Sequence, residues 1–95
     1  MSSSRAVILT HHASRYLQQL SKHWAHKFET EFTPFSSKIA LPLGETRLSA
    51  NDKSLTIEIT ALKSEDLTVL RNVVQTHIER FAFKETLEFD WQPLS

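Results

Sequence analysis

The spacing of apolar residues changes abruptly at Phe28, and this change constrains the fold more than any other feature of the chain. Before it, apolar side chains recur at steps of three and four residues, the pattern of a helix with one buried face; they are Ala13, Leu17, Leu20, Trp24 and Phe28. After it, apolar and polar residues alternate, as in a half-buried strand. The sequence therefore predicts a helix over residues 13–27 followed directly by a strand over residues 28–33.

Similar patterns predict the other elements. Two-residue alternation indicates strands over residues 39–43, 48–50, 55–61 and 87–91, and the apolar run at residues 6–9 indicates a first strand over residues 5–9 that is buried on both faces. A second helix starts at Ser64 and buries Leu67, Leu70, Val74, Ile78 and Phe81. Pro42 indicates that residues 38–43 form an exposed sheet edge, where two copies of the chain would pair as a homodimer.

The resulting order, β-α-β-β-β-β-α-β, predicts one α+β domain over residues 1–95. The simplest arrangement packs both helices on one apolar face of an antiparallel sheet. This order is similar to the TATA-binding-protein-like arrangement. That likeness concerns architecture and implies no function.

Composition excludes several classes of function. The chain has no cysteine, which rules out disulfides, thiolate metal sites and cysteine nucleophiles. Gly44 is its one glycine, so there is no glycine-rich phosphate loop. The apolar run near the N-terminus is too short for a signal peptide or a membrane span, so we expect a cytoplasmic protein without a membrane partner.

Charge is unevenly distributed along the chain. Residues 1–28 contain four Lys/Arg and no acid, giving +4, whereas residues 29–95 contain seven Lys/Arg and eleven Asp/Glu, giving −4. The first helix therefore either pairs its charges inside the fold or presents a positive face to an anion. Four basic residues against an acidic remainder are a thin footprint for nucleic acid, which we do not expect as a partner.

Basic and histidine side chains of the two predicted helices would share one cleft if the helices pack side by side. We predict a ligand site there with His23 and His77 as hydrogen-bonding groups and with Arg15, Lys27 and Arg80 holding an anionic small molecule; the full set is Arg15, Tyr16, His23, Lys27, His77 and Arg80.

The histidines also allow a metal hypothesis. His23, His26 and His77 would hold Zn or Fe, because imidazole suits both metals and two histidines three residues apart on a helix reach one centre. The alternative interpretation places His23 at the edge of the core and His26 in solvent.

Four stretches of the chain carry a recognisable pattern: Ala13-Ser-Arg-Tyr-Leu17, Lys22-His-Trp-Ala-His-Lys-Phe28, His77-Ile-Glu-Arg-Phe-Ala-Phe83 and Leu87-Glu-Phe-Asp-Trp-Gln92. Together they resemble the small bacterial family called domain of unknown function 2218, over essentially the whole chain. His11 stands where that family would have a proline.

The resemblance implies no established activity. Some members of the family carry the label dihydroxyheptenedioate aldolase, and others occur beside, or fused to, siderophore-interacting and iron-uptake proteins. The aldolase label fits this chain poorly. Metal-dependent aldolases of that name resemble barrels of roughly 250 residues, and a class I aldolase needs a desolvated Schiff-base lysine.

We therefore expect a small non-enzymatic binding or accessory module whose ligand is an anionic small molecule or an iron chelate. A link to iron or siderophore handling is what the family resemblance implies. One alternative is a metal-dependent enzyme built on the same histidines. The other is a structural protein that acts as a homodimer.

Overall fold

The computed structural model describes residues 2–94, which form six strands and two α-helices in the predicted order. The elements are β1 (Ser2–Leu9), α1 (Ala13–Ala25), β2 (Thr30–Phe32), β3 (Ser36–Leu41), β4 (Gly44–Ala50), β5 (Ser54–Ala61), α2 (Leu67–Phe81) and β6 (Gln92–Pro93). A short 3₁₀ turn, Ser64–Asp66, leads into α2.

All neighbouring strands in the sheet are antiparallel, and their order is β2-β3-β4-β5-β1-β6. Strands β2 to β5 form a meander joined by short turns. Strand β1 pairs along its whole length with β5, from Ser2 opposite Ala61 to Leu9 opposite Ser54. The first strand of the chain therefore lies inside the sheet, between the last strand of the meander and the two-residue β6.

Both helices pack on one face of this sheet, which confirms the predicted α+β class. Helix α1 contacts β2 to β5, and α2 contacts β5 and β1. Strand β5 supplies the centre of the core, because Leu55, Ile57 and Ile59 are fully buried beneath the helices. Within residues 2–94, neither helix is long and apolar enough to cross a membrane.

Helix α1 ends two residues earlier than the periodicity predicts. The backbone N–H groups of Lys27 and Phe28 both donate to the carbonyl oxygen of Trp24, at 3.0 and 2.8 Å. This turn ends the helix at Ala25 and brings Phe28 back against the core. The turn therefore keeps Phe28 in the apolar stripe although it lies outside the helix.

The prediction that residues 38–43 form an exposed edge is wrong. Strand β3 is hydrogen-bonded on both sides, to β2 and to β4, and Pro42 lies in the turn after it. Proline has no backbone N–H, and it is compatible with this turn because no sheet hydrogen bond is required from residue 42. The proposed homodimer contact through this strand is therefore occupied by the chain's own β2.

The prediction of a strand over residues 87–91 is also wrong. Only Gln92 and Pro93 pair with β1, opposite Arg5 and Ser4. The preceding segment packs its apolar side chains inward without forming a ladder, and the indole N–H of Trp91 donates to Gln75 Oε1 at 2.9 Å. The alternation of apolar and polar residues in this segment thus indicates that one side of it is buried. It does not indicate a strand that is hydrogen-bonded to the sheet.

Strand β1 is buried on one face only, contrary to the prediction from its apolar run. Ala6 and Ile8 lie in the core, whereas Val7 is 49% and Leu9 80% exposed on the opposite face. The reason is that both helices cover the same side of the sheet. Thr86, Glu88 and Asp90 face these exposed side chains across an open cleft of about 320 Å³.

Candidate functional site

A pocket of about 400 Å³ opens where the carboxyl end of α1 passes α2 and the β3–β4 turn. This volume is in the range of small-molecule sites, roughly 300–1,000 Å³. Its lining residues come from three segments far apart in the sequence: His23, Trp24, Lys27 and Phe28; Leu41, Pro42 and Leu43; Leu70, Val73 and His77. The pocket is therefore a product of the tertiary fold.

The floor and walls of the pocket are apolar. Trp24 and Leu70 form the floor and are 5% and 1% exposed. Phe28, Val73 and the leucines of the turn are half-buried and form the walls. Such a lining favours an apolar ligand body, since ligand sites gain most of their affinity by excluding water from apolar surface.

The β3–β4 turn holds its position because Gly44 sits against β5. A Cβ atom at Gly44 would lie 2.1 Å from the carbonyl oxygen of Thr60 and 2.9 Å from the Cα of Ala61. Gly44 has no positive φ, so close backbone approach is the reason for glycine here. Gly44 begins β4, and the turn itself is Pro42–Leu43.

His77 is held in the pocket by a hydrogen bond to its own helix. Its Nδ1 lies 2.7 Å from the carbonyl oxygen of Val73, one helical turn earlier. A carbonyl oxygen only accepts, so Nδ1 carries the proton in this bond. The ring centroid of His77 lies 4.9 Å from the Trp24 ring and 5.3 Å from the His23 ring. Nε2 therefore lies on the side of the ring away from its own helix backbone.

His23 and Lys27 complete the mouth of the pocket. Both are exposed and lie at or just beyond the last turn of α1. The carboxyl end of a helix carries partial negative charge and favours cations nearby. Among the described residues that line the pocket, none is Asp or Glu. The titratable groups at this mouth are thus two imidazoles and one ammonium group, none of which carries negative charge.

The predicted ligand residues fall into three places. His23, Lys27 and His77 come together in the pocket, as expected from helices packed side by side. Arg15 and Tyr16 instead line a second cleft, of about 270 Å³, near the start of α1. Arg80 is exposed in the last turn of α2 and is outside the lining of the pocket. Lys27 is therefore the one predicted anion holder at this site.

Tyr16 has a partner that the sequence did not suggest. Its hydroxyl group donates to the carboxylate of Glu85, which also accepts from the hydroxyl group of Thr10. Burial, together with the hydrogen bond and negative charge of Glu85, raises the pKa of Tyr16 to about 12. This pair connects the start of α1 to the segment after α2, so Tyr16 has a structural role away from the pocket.

The predicted three-histidine metal site does not form. Within residues 2–94, no group of three His, Asp or Glu side chains is placed to hold a metal ion. His26 is exposed and lies beyond the last residue of α1, while His23 and His77 face each other across the helix contact. His26 keeps helical backbone angles as the residue that caps α1, but the structure brings only His77 next to His23, so the Zn or Fe site lacks its third histidine.

Sequence reasoning missed the third wall of the pocket. Leu41 and Leu43 are predicted to point inward, but as core residues of one strand. In the structure they flank the exposed Pro42 in a turn that faces α1 and α2. The sequence signal for this wall was the run of leucine, proline and leucine directly before the single glycine, which is compatible with an apolar turn.

Comparisons with known proteins agree on the family of the chain. The family model described as "Uncharacterized protein conserved in bacteria (DUF2218)" matches residues 5–92. A search of curated proteins finds no match.

The chain is also similar to PA4090 from Pseudomonas aeruginosa, a structure determined by NMR. The two share 35% identity with a TM-score of 0.81, over 97% of this chain and 96% of that one. Neither comparison bears on iron, siderophores or catalysis, so those expectations stay predictions. The match over residues 5–92 and the shared fold confirm the resemblance found in the sequence: the chain belongs to the bacterial DUF2218 family.

Proposed function

We propose that this protein is a non-enzymatic binding module that holds a small organic molecule in the pocket between α1, α2 and the β3–β4 turn. The observation that carries the proposal is the composition of that pocket. An apolar floor and walls are combined with three basic side chains at the mouth, namely His23, Lys27 and His77. Sites for small molecules typically have this combination of apolar surface and a few placed polar groups.

The polar groups at the mouth support binding more than catalysis. Covalent catalysis needs a nucleophile within reach of an activating base, and the pocket lining contains no serine, threonine or acid among the described residues. The two imidazoles lie against each other, and the His77 ring also lies against the Trp24 ring, so their neighbours restrict both rings at the mouth. The aldolase alternative would place its lysine in an apolar interior, whereas Lys27 is exposed.

A screen by two-dimensional NMR of the ¹⁵N-labelled protein against small organic compounds tests the proposal. We expect compounds with apolar bodies to shift the amide signals of residues around the pocket. Val73→Trp should abolish these shifts, because Val73 lines the pocket and an indole there fills it. Val69→Trp is the matched control, since Val69 lies on the same helix but is 49% exposed and outside the lining.

Binding that survives in Val73→Trp would place the ligand elsewhere, and a screen without any pocket shift would reject the proposal. The link to iron handling is tested in the same way with gallium citrate, a diamagnetic substitute for a ferric chelate. Pocket shifts with gallium citrate, absent with citrate alone, are the result that would support this link.

A further inference from the structure

The titratable side chains at the mouth of the pocket are histidines and a lysine, and none is acidic. The titratable groups at it are His23 and Lys27 from the α1 side and His77 from α2, and the β3–β4 turn contributes none. Lys22 beside His23 and Glu79 and Arg80 after His77 are exposed and outside the lining. A carboxylate that enters the mouth would thus contact two imidazoles and one ammonium group, and no carboxylate of the lining residues would repel it.

The hydrogen bond of His77 determines what its free nitrogen offers. With Nδ1–H donating to the Val73 carbonyl oxygen, a neutral ring carries a lone pair on Nε2. Within residues 2–94, no protein group bonds to this Nε2. The lone pair on Nε2 repels a carboxylate oxygen. Nε2 becomes a hydrogen-bond donor only when the ring gains a proton.

A bound carboxylate would favour that proton. Lys27 attracts the carboxylate to the mouth, and the carboxylate in turn stabilises an imidazolium ion at close range. Charge-assisted hydrogen bonds of this kind are about twice as strong as neutral ones. Imidazole is the side chain that gains a proton most readily near neutral pH, so ligand binding and protonation of the histidine are linked.

Resting on the proposed function, we propose that the ligand is a small organic acid with an apolar body, and that its carboxylate binds at the mouth with uptake of one proton by His77. The body of the acid lies against Trp24, Phe28 and Leu70. Its carboxylate lies between the Lys27 ammonium group and Nε2 of His77, with His23 beside them. The proton comes from solvent and adds to the Nε2 lone pair, and no bond of the ligand is made or broken.

The test compares naphthalene-2-carboxylate with naphthalene-2-carboxamide, which share one aromatic body and differ in charge. We expect the acid to bind about tenfold more tightly than the amide at about pH 6, with the advantage shrinking as the pH rises to about 9. Calorimetry between about pH 6 and 8 in buffers of different ionisation enthalpy should report an uptake that peaks at about half a proton per acid bound, because a tenfold change in affinity implies that part of the free protein is already protonated; the amide should show none.

Two variants assign the proton to its residue. His77→Gln keeps a hydrogen-bond donor near the position of Nε2 but does not titrate, so it should bind the acid with less than half of the proton uptake. His26→Gln, outside the pocket, should behave as the native protein.

Acid and amide that bind the pocket equally, without proton uptake, would overturn this inference and leave the proposed binding function standing. Failure of both probes, with other compounds shifting the pocket signals, would overturn it as well. Failure of every compound in the NMR screen would reject the proposed function itself.

Discussion

Tyr16, near the start of α1, is the single tyrosine of the chain. Its buried hydroxyl group donates to Glu85, which follows α2. Burial, and then the bond to Glu85, raise its pKa from 10.0 to about 12, which favours the neutral phenol in the folded state. A group whose folded pKa is raised stabilises the protein fully below its unfolded pKa. This contribution is therefore complete below pH 10 and is lost as the pH rises toward about 12.

Absorbance of tyrosinate measures this pKa directly, because no other tyrosine contributes. We expect a titration midpoint at about 12 in the folded protein. Glu85→Gln should move it down toward 10.0 without reaching it, since burial remains as the largest cause. A midpoint of 10 in the folded native protein would contradict the buried Tyr16–Glu85 pair.

Thr46 has a buried hydroxyl group without a hydrogen-bond partner among the described residues. It lies on the inner face of β4, opposite Ile39 and Ile59 in the neighbouring strands. An unpaired buried hydroxyl costs about 1–3 kcal/mol. Thr46→Val keeps the shape and should raise the free energy of unfolding by about 1 kcal/mol in urea titrations. Thr56→Val, on the outer face of β5, is the control; a loss of stability in Thr46→Val would show that the hydroxyl is bonded in solution.

At the scale of elements, the contact of β4 with β5 at Gly44 sets the position of the pocket wall. Gly44→Ala would place a methyl group 2.1 Å from the Thr60 carbonyl oxygen, so the two strands must separate. Overpacking of this kind costs about 1–3 kcal/mol. We expect a loss of this size in urea unfolding, together with amide shifts at Leu41 and Leu43. Ser49→Ala in the exposed face of β4 should leave both signals in place; an unshifted turn in Gly44→Ala would contradict the close approach.

The elements of the fold were predictable where one face is buried and the other is wet. Helix α1 and strand β5 follow the predicted pattern because their apolar side chains all point into one core. Residues 87–91 show the same alternation without strand pairing, because a periodic sequence reports a buried side and says nothing about backbone partners. The exposed Val7 and Leu9 were misjudged for the same reason, since the sequence does not show that both helices cover one face.

The candidate site was predictable in part. His23 and His77 lie on the shoulders of their helical stripes, so side-by-side packing brings them together, at 5.3 Å between ring centroids. Arg15 lies two turns before His23 on α1, and it faces the second cleft beyond the reach of the pocket. Leu41 and Leu43 enter through a turn whose distance to the helices depends on the meander, which no local pattern specifies.

At the scale of the whole molecule, the two open edges of the sheet are short. Strand β2 has three residues, β6 has two, and β6 leaves residues 6–9 of β1 without a ladder partner on that side, so each open stretch offers at most four residues to a second copy. Exposed apolar side chains are spread over separate elements, with Leu9 on β1, Phe35 before β3 and Phe83 after α2. Scattered exposure of this kind is ordinary for a monomer.

Light scattering on a sizing column should therefore give the mass of one chain, 11.0 kDa. A mass of twice that value, kept on dilution, would indicate a homodimer through a surface other than the predicted β3 edge.

The β3–β4 turn forms one wall of the pocket, and its tip, Pro42, is exposed to solvent. Lengthening or shortening this turn would resize the cavity while the packing of α1 and α2 on the sheet stays the same. Related chains with the same fold can therefore bind ligands of different size. The volume of the pocket and the stability of the fold can change independently of each other.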